Sequence, residues 1–406
     1  MSNILLIGSY YGKSDDANGI CVKNIAEAFV RKGNKVYVIS DAKEDGQFET
    51  NDVLIYEVKE GWYTSYLRRY AQNHRHPLIC KIVQLIRRVI VVPFYPNTSF
   101  LRSRKIYELA DRIVNECNIN IVIGSYRPYE AIYTSNRLKK KFGSEIHVIN
   151  YYLDIISEPN TSNKYIKKYQ SFRTKKNVEK EINLIDGMIV PDNAAKFYPV
   201  TEKIHCCGFP VYIAEGLEQY LATNFRKDEY NIVYIGTLDA NNRNPSYAIQ
   251  FIDKIRRQTS MPIRLYVWGK MDQEILNTFE KFDWISYSGL IDSKYSYDVL
   301  RQADLLLNIT NQNTYNMLPS KVIQLCASQR PILNFVKNRA DCSLSYFNQY
   351  RYCMNIYEDT EIEDQISGTV AFVQESKNMV IDFPTELVKK STPEYFVEQV
   401  EKISKG

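Results

Sequence analysis

Short apolar runs alternate with amphipathic stretches along the first half of the chain. The runs are NILLIGS, KVYVIS, INIVIGS, HVINYYLD and GMIVPD, and each is followed by a turn signal and a helical pattern. Uninterrupted apolar runs are typical of strands buried on both faces, as in a parallel sheet that is covered by helices. The first half is therefore predicted to form βα units on a parallel sheet.

The same pattern begins again in the second half. Its runs are NIVYIGT, IRLYVWG, WISYSGL, LLLNIT and PILNF, with helical patterns such as PSYAIQFIDKIRR and KYSYDVLRQA between them. Strands that alternate with helices indicate the α/β class. The chain is therefore predicted to contain two doubly wound α/β domains.

A weakly periodic stretch joins the two halves. KIHCCGFPVYIAEGLEQYLATNFRKDEY begins with a strand-like end, passes through Gly208 and Pro210, and becomes charged before the next strand. The domain boundary is predicted near residue 212. This gives an N-terminal domain over 1–212 and a C-terminal domain over 213–391.

The last residues, STPEYFVEQVEKISKG, carry the signals of a helix start. Ser391 or Thr392 can cap the helix, Pro393 suits the first helical position, and Glu394 complements the positive end of the helix dipole. A final helix is predicted over 392–405. It is expected to pack back on the N-terminal domain.

Length and composition indicate an ordinary globular protein. A chain of 406 residues exceeds what one hydrophobic core usually serves, and 45% apolar with 24% charged residues is neither disordered nor fibrous. The net charge of +5 is a mild bias, and no block of Lys and Arg is long enough for a nucleic-acid arm. Nucleic acid is therefore disfavoured as a partner.

Cysteine and histidine usage argues against a metal site. The eight cysteines include no Cys-x-x-Cys pair, and the four histidines lack zinc-ligand spacing. Scattered cysteines of this kind are typical of reduced thiols, which favours a cytoplasmic chain. MSNILLIGSYYG lacks the features of a signal peptide, and charges interrupt LICKIVQLIRRVIVVPF, so neither secretion nor a membrane span is predicted.

Basic residues cluster in RRYAQNHRHPLICKIVQLIRR, where they interleave with Ile, Leu and Val at helix-like spacing. A helix of this kind could lie on the anionic inner face of a membrane. The functional expectation is a peripheral membrane contact through 68–92. The alternative is an ordinary amphipathic helix whose apolar stripe faces the core.

In open parallel sheets, ligands lie beyond the carboxyl ends of the strands, where helix N-termini present free N–H groups. The first such loop, GSYYGKSDDANGICVKN, does not have the Gly-x-Gly-x-x-Gly spacing of a dinucleotide site. Gly19 opens the following helix, so its backbone could approach a phosphate or a sugar. The alternative is that this glycine serves packing alone.

Two loops of the second domain place cations where an anion would meet a helix end. Arg243 precedes Pro245 in IGTLDANNRNP and would aim a guanidinium at a pyrophosphate. In NMLPSKVIQL, Ser320 offers a hydroxyl, Lys321 places a point charge at the helix start, and Gln324 lies one turn further. A phosphate-bearing ligand with a hydroxylated body accounts for these residues. A solvated loop arginine is the alternative for Arg243.

Four stretches together resemble one family. NGICVKNIAEAFVRKGNKVYVIS, NIVYIGTLDANNRNP, YSGLIDSKYSYDVLRQADLLLNIT and LPSKVIQLCASQRPIL occur in the order found in GT-B glycosyltransferases of the family 4 kind, also called glycosyl transferases group 1. The resemblance spans nearly the whole chain. It implies two Rossmann-like domains that face each other across a cleft and bind a sugar nucleotide there, largely through the C-terminal domain.

The resemblance also implies roles for particular residues. Gly19 would face the donor phosphates or the acceptor, and Arg243 would take the place of a basic residue after the first strand of the C-terminal domain. Ser320 and Lys321 would border the diphosphate. Lys270, at the end of the second strand of that domain, would lie near the base of the nucleotide. So would the Ser288–Ile291 stretch, which includes Gly289 and Ile291.

The chain departs from the family pattern at three positions. Thr237 stands where an arginine is usual, which leaves Arg243 as the cation of that loop. The two glutamates of the Glu-x7-Glu motif correspond to Asn316 and Gln324. An amide can hydrogen-bond ribose hydroxyls, but it supplies no negative charge to stabilise an oxocarbenium ion. The usual retaining arrangement is therefore in question.

An inverting reaction would need a general base within reach of the acceptor hydroxyl. Asp15, Asp16 and Asp154 are candidates, and Asp154 is preferred because family members often have an acidic residue near the start of that loop. A helix-capping or solvated role is the alternative for Asp154.

The sequence therefore predicts a cytoplasmic glycosyltransferase of the hexosyltransferase type (EC 2.4). It would move a sugar from a nucleoside diphosphate sugar to a saccharide or lipid-linked saccharide in surface polysaccharide or glycoconjugate synthesis. No metal and no cofactor besides the donor substrate is expected, because cations at a helix N-terminus would stabilise the departing diphosphate. The alternatives are a catalytically silent sugar-nucleotide-binding subunit and a sugar-nucleotide epimerase.

Overall fold

The computed structural model describes residues 1–13, 16–61, 82, 85, 95–97, 99–126, 128–153, 164–211, 225–313, 315–316, 318–377, 379 and 381–405. The chain divides into two compact units. Unit 1 comprises Met1–Tyr212 with Lys390–Gly406, and unit 2 comprises Ile213–Lys389.

The described residues contain fourteen strands. Those of unit 1 are β1 (Asn3–Ile7), β2 (Lys35–Ala42), β3 (Gly46–Thr50), β4 (Val53–Lys59), β5 (Ile121–Tyr126), β6 (His147–Tyr152), β7 (Gly187–Pro191) and β8 (Ile204–Cys207). Those of unit 2 are β9 (Tyr230–Ile235), β10 (Ile263–Trp268), β11 (Ile285–Tyr287), β12 (Leu305–Ile309), β13 (Ile332–Val336) and β14 (Cys353–Tyr357).

Twelve α-helices lie in the same described part of the chain. They are α1 (Ala17–Arg31), α2 (Phe100–Glu116), α3 (Tyr129–Phe142), α4 (Lys164–Leu184), α5 (Ser246–Thr259), α6 (Gln273–Phe279), α7 (Ser293–Gln302), α8 (Ser320–Ala327), α9 (Ser343–Phe347), α10 (Ile362–Ser376), α11 (Thr385–Val388) and α12 (Pro393–Lys405). Short 3-10 helices occur at Gly143–Glu145, Asp192–Phe197 and Lys389–Ser391.

Unit 1 is built on an eight-stranded sheet with the order β3-β4-β2-β1-β5-β6-β7-β8. All neighbouring strands are parallel except β3 and β4, which form an antiparallel hairpin at the edge. The hairpin turns at Asn51 and Asp52, whose φ angles of 48° and 59° lie in the left-handed region that Asn and Asp tolerate. The apolar side chains of β1, β5 and β7 are almost fully buried, as expected for central parallel strands.

The C-terminal helix α12 completes the core of unit 1. Phe396, Val397 and Val400 are fully buried in the same hydrophobic cluster as residues of α1 and of the central strands. The Thr392 hydroxyl accepts a hydrogen bond from the Tyr395 N–H at 3.2 Å and so satisfies one free donor of the helix start. The apolar face of α12 therefore fixes this last helix to unit 1.

Unit 2 is built on a six-stranded, fully parallel sheet with the order β11-β10-β9-β12-β13-β14. A ladder of side-chain amides crosses three of its strands, because Asn308 donates to Asn334 at 2.7 Å and Asn334 donates to Asn355 at 2.8 Å. Asn334 is fully buried, so these hydrogen bonds satisfy a polar group in the core and hold the register of the strands.

The strand order of unit 2 reverses between β9 and β12. The chain runs from β9 outward through β10 to β11, then crosses to β12 and continues outward to β14. Loops after the two central strands therefore lead in opposite directions and leave a crevice at the carboxyl edge of the sheet. Such a switch point is where open α/β sheets bind ligands.

Candidate functional site

The loop after β9 lies directly against the loop after β10. Gly269 has a φ of 137°, and a Cβ on this residue would lie 1.8 Å from the Gly236 carbonyl oxygen. The backbone approach therefore requires glycine at this position. The Gly236 N–H donates to the Trp268 carbonyl at 2.8 Å, and the Leu238 N–H donates to the Lys270 carbonyl at 2.9 Å, so hydrogen bonds hold the two loops together.

Arg243 is held in a fixed position at the end of the β9 loop. Its backbone N–H donates to the Asp239 carbonyl at 3.1 Å, and its Nε donates to the Asn311 side-chain oxygen at 2.7 Å. Asn311 directly follows β12 and Thr310, is largely buried, and also accepts from Asn242 at 3.0 Å. One amide oxygen thus ties the loop after β9 to the end of β12 and orients the guanidinium at the switch point.

Lys321 lies in the first turn of α8, on the other side of the switch point. Its ammonium group donates to the Ile235 carbonyl at 2.5 Å, at the carboxyl end of β9. Burial, and then the positive charge of Arg243, lower the pKa of Lys321 to about 7. A lysine held beside a second cation in a half-buried place favours any ligand that brings negative charge.

Two further side chains complete the surroundings of Arg243. The Tyr234 hydroxyl is hydrogen-bonded to Arg243 and lies in the core, and burial raises the pKa of this phenol. Asp341 is largely buried and accepts from the Ser343 N–H at 2.8 Å; burial raises the pKa of its carboxyl, and the charge of Arg243 opposes that rise. Asp341 lies in the loop after β13, and its carboxyl therefore attracts the Arg243 guanidinium.

Three residues that were predicted to lie near the base of the nucleotide are found around the loops after β10 and β11. Lys270 is exposed, and only its backbone carbonyl is tied to the β9 loop. Gly289 has a φ of 73° and accepts from the Gly269 N–H at 2.7 Å, which links the two loops. Ile291 is half-buried and packs against the core of unit 2. Their contact with a base stays a prediction.

The remaining predicted donor residues of unit 2 lie in or before α8. Ser320 begins the helix, Gln324 lies one turn further, and Asn316 lies in the turn that precedes it; all three are half-buried. The helix starts directly after Pro319, whose φ of −69° suits this place. Their positions in or just before the first turns of α8 agree with the prediction that they border the same ligand site. Their contact with a ligand stays a prediction.

The predicted residues of unit 1 that the structure describes have structural contacts of their own. Asp16 caps α1, because its carboxylate accepts from the Asn18 N–H at 3.2 Å and from the Ser9 hydroxyl. A Cβ on Gly19 would lie 1.6 Å from the Tyr10 carbonyl oxygen, so a packing requirement alone explains glycine there. Whether either residue also meets a substrate stays a prediction.

Other predictions fall outside the described residues. Asp154 and Asp15 are among these, and so is the basic segment 68–92 apart from Ile82 and Leu85. No helix in the described part of the chain is both long and apolar enough to cross a membrane. No group of three or more His, Cys, Asp or Glu side chains within the same residues is placed to hold a metal ion.

Asn311 and Asp341 are parts of this site that the sequence patterns did not single out. Asn311 follows the buried run LLLNIT, so the sequence already indicates that it lies at the end of a strand. Its significance depends on which strands are neighbours, and the strand order places the ends of β9 and β12 side by side. No sequence pattern pointed to Asp341, because it lies in a loop that only the fold brings close to Arg243.

Comparisons with known proteins give no sequence relative. No protein-family model matches the chain, and no curated protein matches it in sequence. Similarity to known proteins is therefore found at the level of structure.

Many solved structures share the fold of the whole chain. The apo structure of OtsA matches with a TM-score of 0.61 at 11% identity, over 100% of this chain and 99% of that one. A single-residue mutant of S. aureus TarM, in complex with fondaparinux, alpha-GlcNAc-glycerol and UDP, matches with a TM-score of 0.56 at 10% identity over 100% of both chains. Anabaena Alr3699/HepE, in complex with UDP and glucose, matches with a TM-score of 0.54 at 10% identity, over 100% of this chain and 98% of that one.

These neighbours are GT-B glycosyltransferases, and the chain has the GT-B fold. The predictions of an α/β class and of two Rossmann-like domains are confirmed. The assignment to the family 4 kind within this fold stays a prediction.

Proposed function

We propose that this protein is a glycosyltransferase that uses a nucleoside diphosphate sugar as donor. The observation that carries the proposal is that two cations, Arg243 and Lys321, lie close together at the β9/β12 switch point of unit 2, beside the N-terminus of α8. A diphosphate placed there would meet two cations and the free N–H groups of a helix start. The GT-B neighbours solved with UDP support this choice of ligand.

The contacts suggest how the donor would be held. A lysine ammonium has three donors, and the Ile235 carbonyl occupies one of them. The other two would turn to the phosphates, while Arg243, oriented by Asn311, would bind a second phosphate oxygen through its terminal nitrogens. As the bond between the sugar and the diphosphate breaks, the leaving group gains negative charge that both cations stabilise. This is our reason for proposing transfer without a metal ion.

The acceptor is proposed to be a saccharide or lipid-linked saccharide, bound by unit 1. A base that takes the proton of the acceptor hydroxyl is assigned to Asp154, which directly follows Leu153 at the end of the β6 segment. Asp16 is the less favoured candidate, because its carboxylate already caps α1.

A nucleotide-binding experiment tests the donor site. Calorimetric titrations of UDP, GDP, dTDP and CMP in the presence of EDTA should find one nucleotide that binds. Arg243→Gln should weaken the binding of this nucleotide by about 10-fold or more, because a charge-assisted hydrogen bond is lost. The control Arg257→Gln removes an exposed arginine of the same unit that pairs with Asp253, and it should bind as the unaltered protein does. Equal binding by Arg243→Gln would contradict the proposal.

A silent sugar-nucleotide-binding subunit is the second candidate, and Asn316 and Gln324 favour it. Both amides stand where the resembled family has carboxylates, and neither can carry negative charge. Mass spectrometry of the products separates the two candidates. Transfer of the sugar to a saccharide acceptor, with EDTA present, supports the enzyme, whereas binding of the same nucleotide without any transferred or released sugar supports the silent subunit.

A further inference from the structure

Unit 1 contains a cavity that the proposed donor site does not use. It has a volume of about 530 Å³ and lies between α3, α4 and the start of α2. Its wall carries one carboxyl and four cations among the described residues, and the cations are Arg137, Lys140, Arg173 and Lys180. Four amides, Asn97, Asn136, Asn177 and Asn183, line the same cavity. The lining is thus strongly positive and rich in hydrogen-bonding groups.

The one carboxyl, Glu181, is already satisfied by the protein. It is 5% exposed, and its two oxygens accept from the Tyr129 hydroxyl at 2.6 Å and from the Tyr152 hydroxyl. The Asn136 side chain also donates to it. Burial raises the pKa of Glu181 to about 7, so that the carboxyl is partly neutral near physiological pH. Glu181 therefore does little to neutralise the cations around it.

The cations have few partners of their own in the described part of the chain. Arg173 donates through Nε to the Tyr95 carbonyl at 3.4 Å, which directs its side chain. The Arg137 guanidinium lies over the ring of Tyr107 at 3.9 Å from its centroid, a contact that holds a planar cation without neutralising it. Lys140 and Lys180 are exposed and have no ion pair with any described residue. Like charges from two helices thus converge on one cavity.

From this arrangement we propose that the cavity is a binding site for a polyhydroxylated anion, such as a phosphate- or sulfate-bearing sugar or polyol. Arginine and lysine side chains bind the charged group, and the amides and the Tyr133 hydroxyl bind neighbouring hydroxyl groups of the ligand. The half-exposed ring of Phe100 forms part of the wall and suits the apolar face of a sugar ring. The same chemistry occurs in free sugar phosphates and in anionic lipid headgroups. The proposal does not depend on the donor site of unit 2.

A matched pair of double variants tests the site. Lys140→Gln/Lys180→Gln removes two cations of the cavity wall, whereas Lys167→Gln/Lys176→Gln removes two exposed cations of α4 outside the wall. The net charge changes equally in both. Because all four lysines are exposed, both double variants should keep the thermal midpoint of the unaltered protein.

Calorimetry with the full chain measures the binding of glucose 6-phosphate and glycerol 3-phosphate, with glucose and glycerol as neutral probes. Co-sedimentation measures binding to phosphatidylcholine vesicles with and without phosphatidylglycerol. We expect an anionic probe to bind, the neutral probes not to bind, and the cavity variant to bind at least about 10-fold more weakly than the control variant. Binding of the soluble probes identifies a free phosphorylated ligand, and binding of the vesicles alone identifies a lipid headgroup.

Two results would overturn the proposal. The first is that neither the soluble anions nor the anionic vesicles bind. The second is that both double variants weaken binding equally, which would show a diffuse electrostatic effect instead of a site. An anion that binds at Arg243 and Lys321 would bind both double variants without loss, so the donor site cannot produce the expected difference.

Discussion

A buried carboxyl in the described part of unit 1 and a half-buried lysine in that of unit 2 both have a pKa shifted to about 7, and the two groups have opposite charge. Burial raises the pKa of Glu181 to about 7 in unit 1 and lowers the pKa of Lys321 to about 7 in unit 2. In both cases the neutral form is favoured because charge is poorly solvated away from water. The same physical cause thus acts on a carboxyl and on an amine.

The partners of these two groups differ, and the difference separates a satisfied group from a binding group. Glu181 accepts hydrogen bonds from two tyrosine hydroxyls and an amide, which use most of its acceptor positions. Lys321 donates to one carbonyl and faces the like charge of Arg243. A ligand would therefore gain little from Glu181 itself, whereas an anion that reaches Lys321 would relieve an unfavourable interaction.

The largest expected effect comes from removing the amine. Lys321→Met keeps most of the length of the side chain and removes its charge, so it should weaken binding of the preferred nucleoside diphosphate by about 10- to 100-fold, the range of a lost charge-assisted hydrogen bond. Calorimetry measures this change. Lys281→Met, which alters an exposed lysine of the same unit, is the control. A Lys321→Met protein that keeps its affinity would remove Lys321 from the donor site.

The second effect concerns the carboxyl and appears as stability. The folded-state pKa of Glu181 lies above its unfolded value of about 4.5, so the protonated form adds stability below that value, and this stability is lost as the pH rises through about 7. Tyr129 and Tyr152 stay neutral over this range, because burial and the Glu181 charge raise their pKa values. Glu181→Gln mimics the protonated form and should be more stable than the unaltered protein at about pH 8, by about 1–2 kcal/mol.

Thermal midpoints measured at several pH values between about 5 and 8 test this prediction. The difference between Glu181→Gln and the unaltered protein should grow with pH, while Glu179→Gln, an exposed neighbour on the same helix, should show no such trend. A constant difference across the pH range would mean that Glu181 is already ionised at low pH in the folded protein.

The sequence predicted the central strands of both sheets, and it also predicted the edge strand β11 from the run WISYSGL. β1, β5, β9 and β12 are continuous apolar runs because both of their faces are covered. β3 was missed because Gly46–Thr50 is mostly exposed and carries no apolar pattern. Its partner β4 was missed although Val53, Ile55 and Val58 are buried. β14 was missed as well, since most of its residues are only half-buried.

The candidate site was predictable only in part, for a similar reason. Arg243 and Lys321 were visible because each lies beside a helix start marked by proline. Asn311 and Asp341 contribute through contacts across the sheet, which no spacing along the chain encodes. Glu181 resembled any other charge in the helix NVEKEINL until the fold placed two tyrosine hydroxyls against it.

A smaller effect sharpens the comparison through the pH dependence of binding. The folded-state pKa of Lys321 lies below its ordinary value, so its charge is present below about pH 7 and is lost above it. A nucleoside diphosphate sugar keeps a constant charge over this range, so its affinity should fall by roughly 5-fold between about pH 6 and about pH 8. Calorimetric titrations at both pH values measure the fall. Lys321→Met should bind weakly and equally at both, and an unchanged affinity of the unaltered protein would show that its lysine stays charged.

The smallest effect concerns the residue that orients Arg243. Asn311→Ala removes the oxygen that accepts from Arg243 and from Asn242, so the guanidinium loses its fixed direction while its charge remains. Nucleotide affinity should fall by about 3-fold, the lower range for a single hydrogen bond. Asn313→Ala is the matched control, because Asn313 belongs to the same loop and donates its side chain to the Asn241 carbonyl instead. If both alanine variants lose affinity equally, the loop acts as a whole, and Asn311 has no separate role in positioning the cation. If only Asn311→Ala loses affinity, and its thermal midpoint matches that of Asn313→Ala, the direction of the guanidinium contributes to binding in addition to its charge.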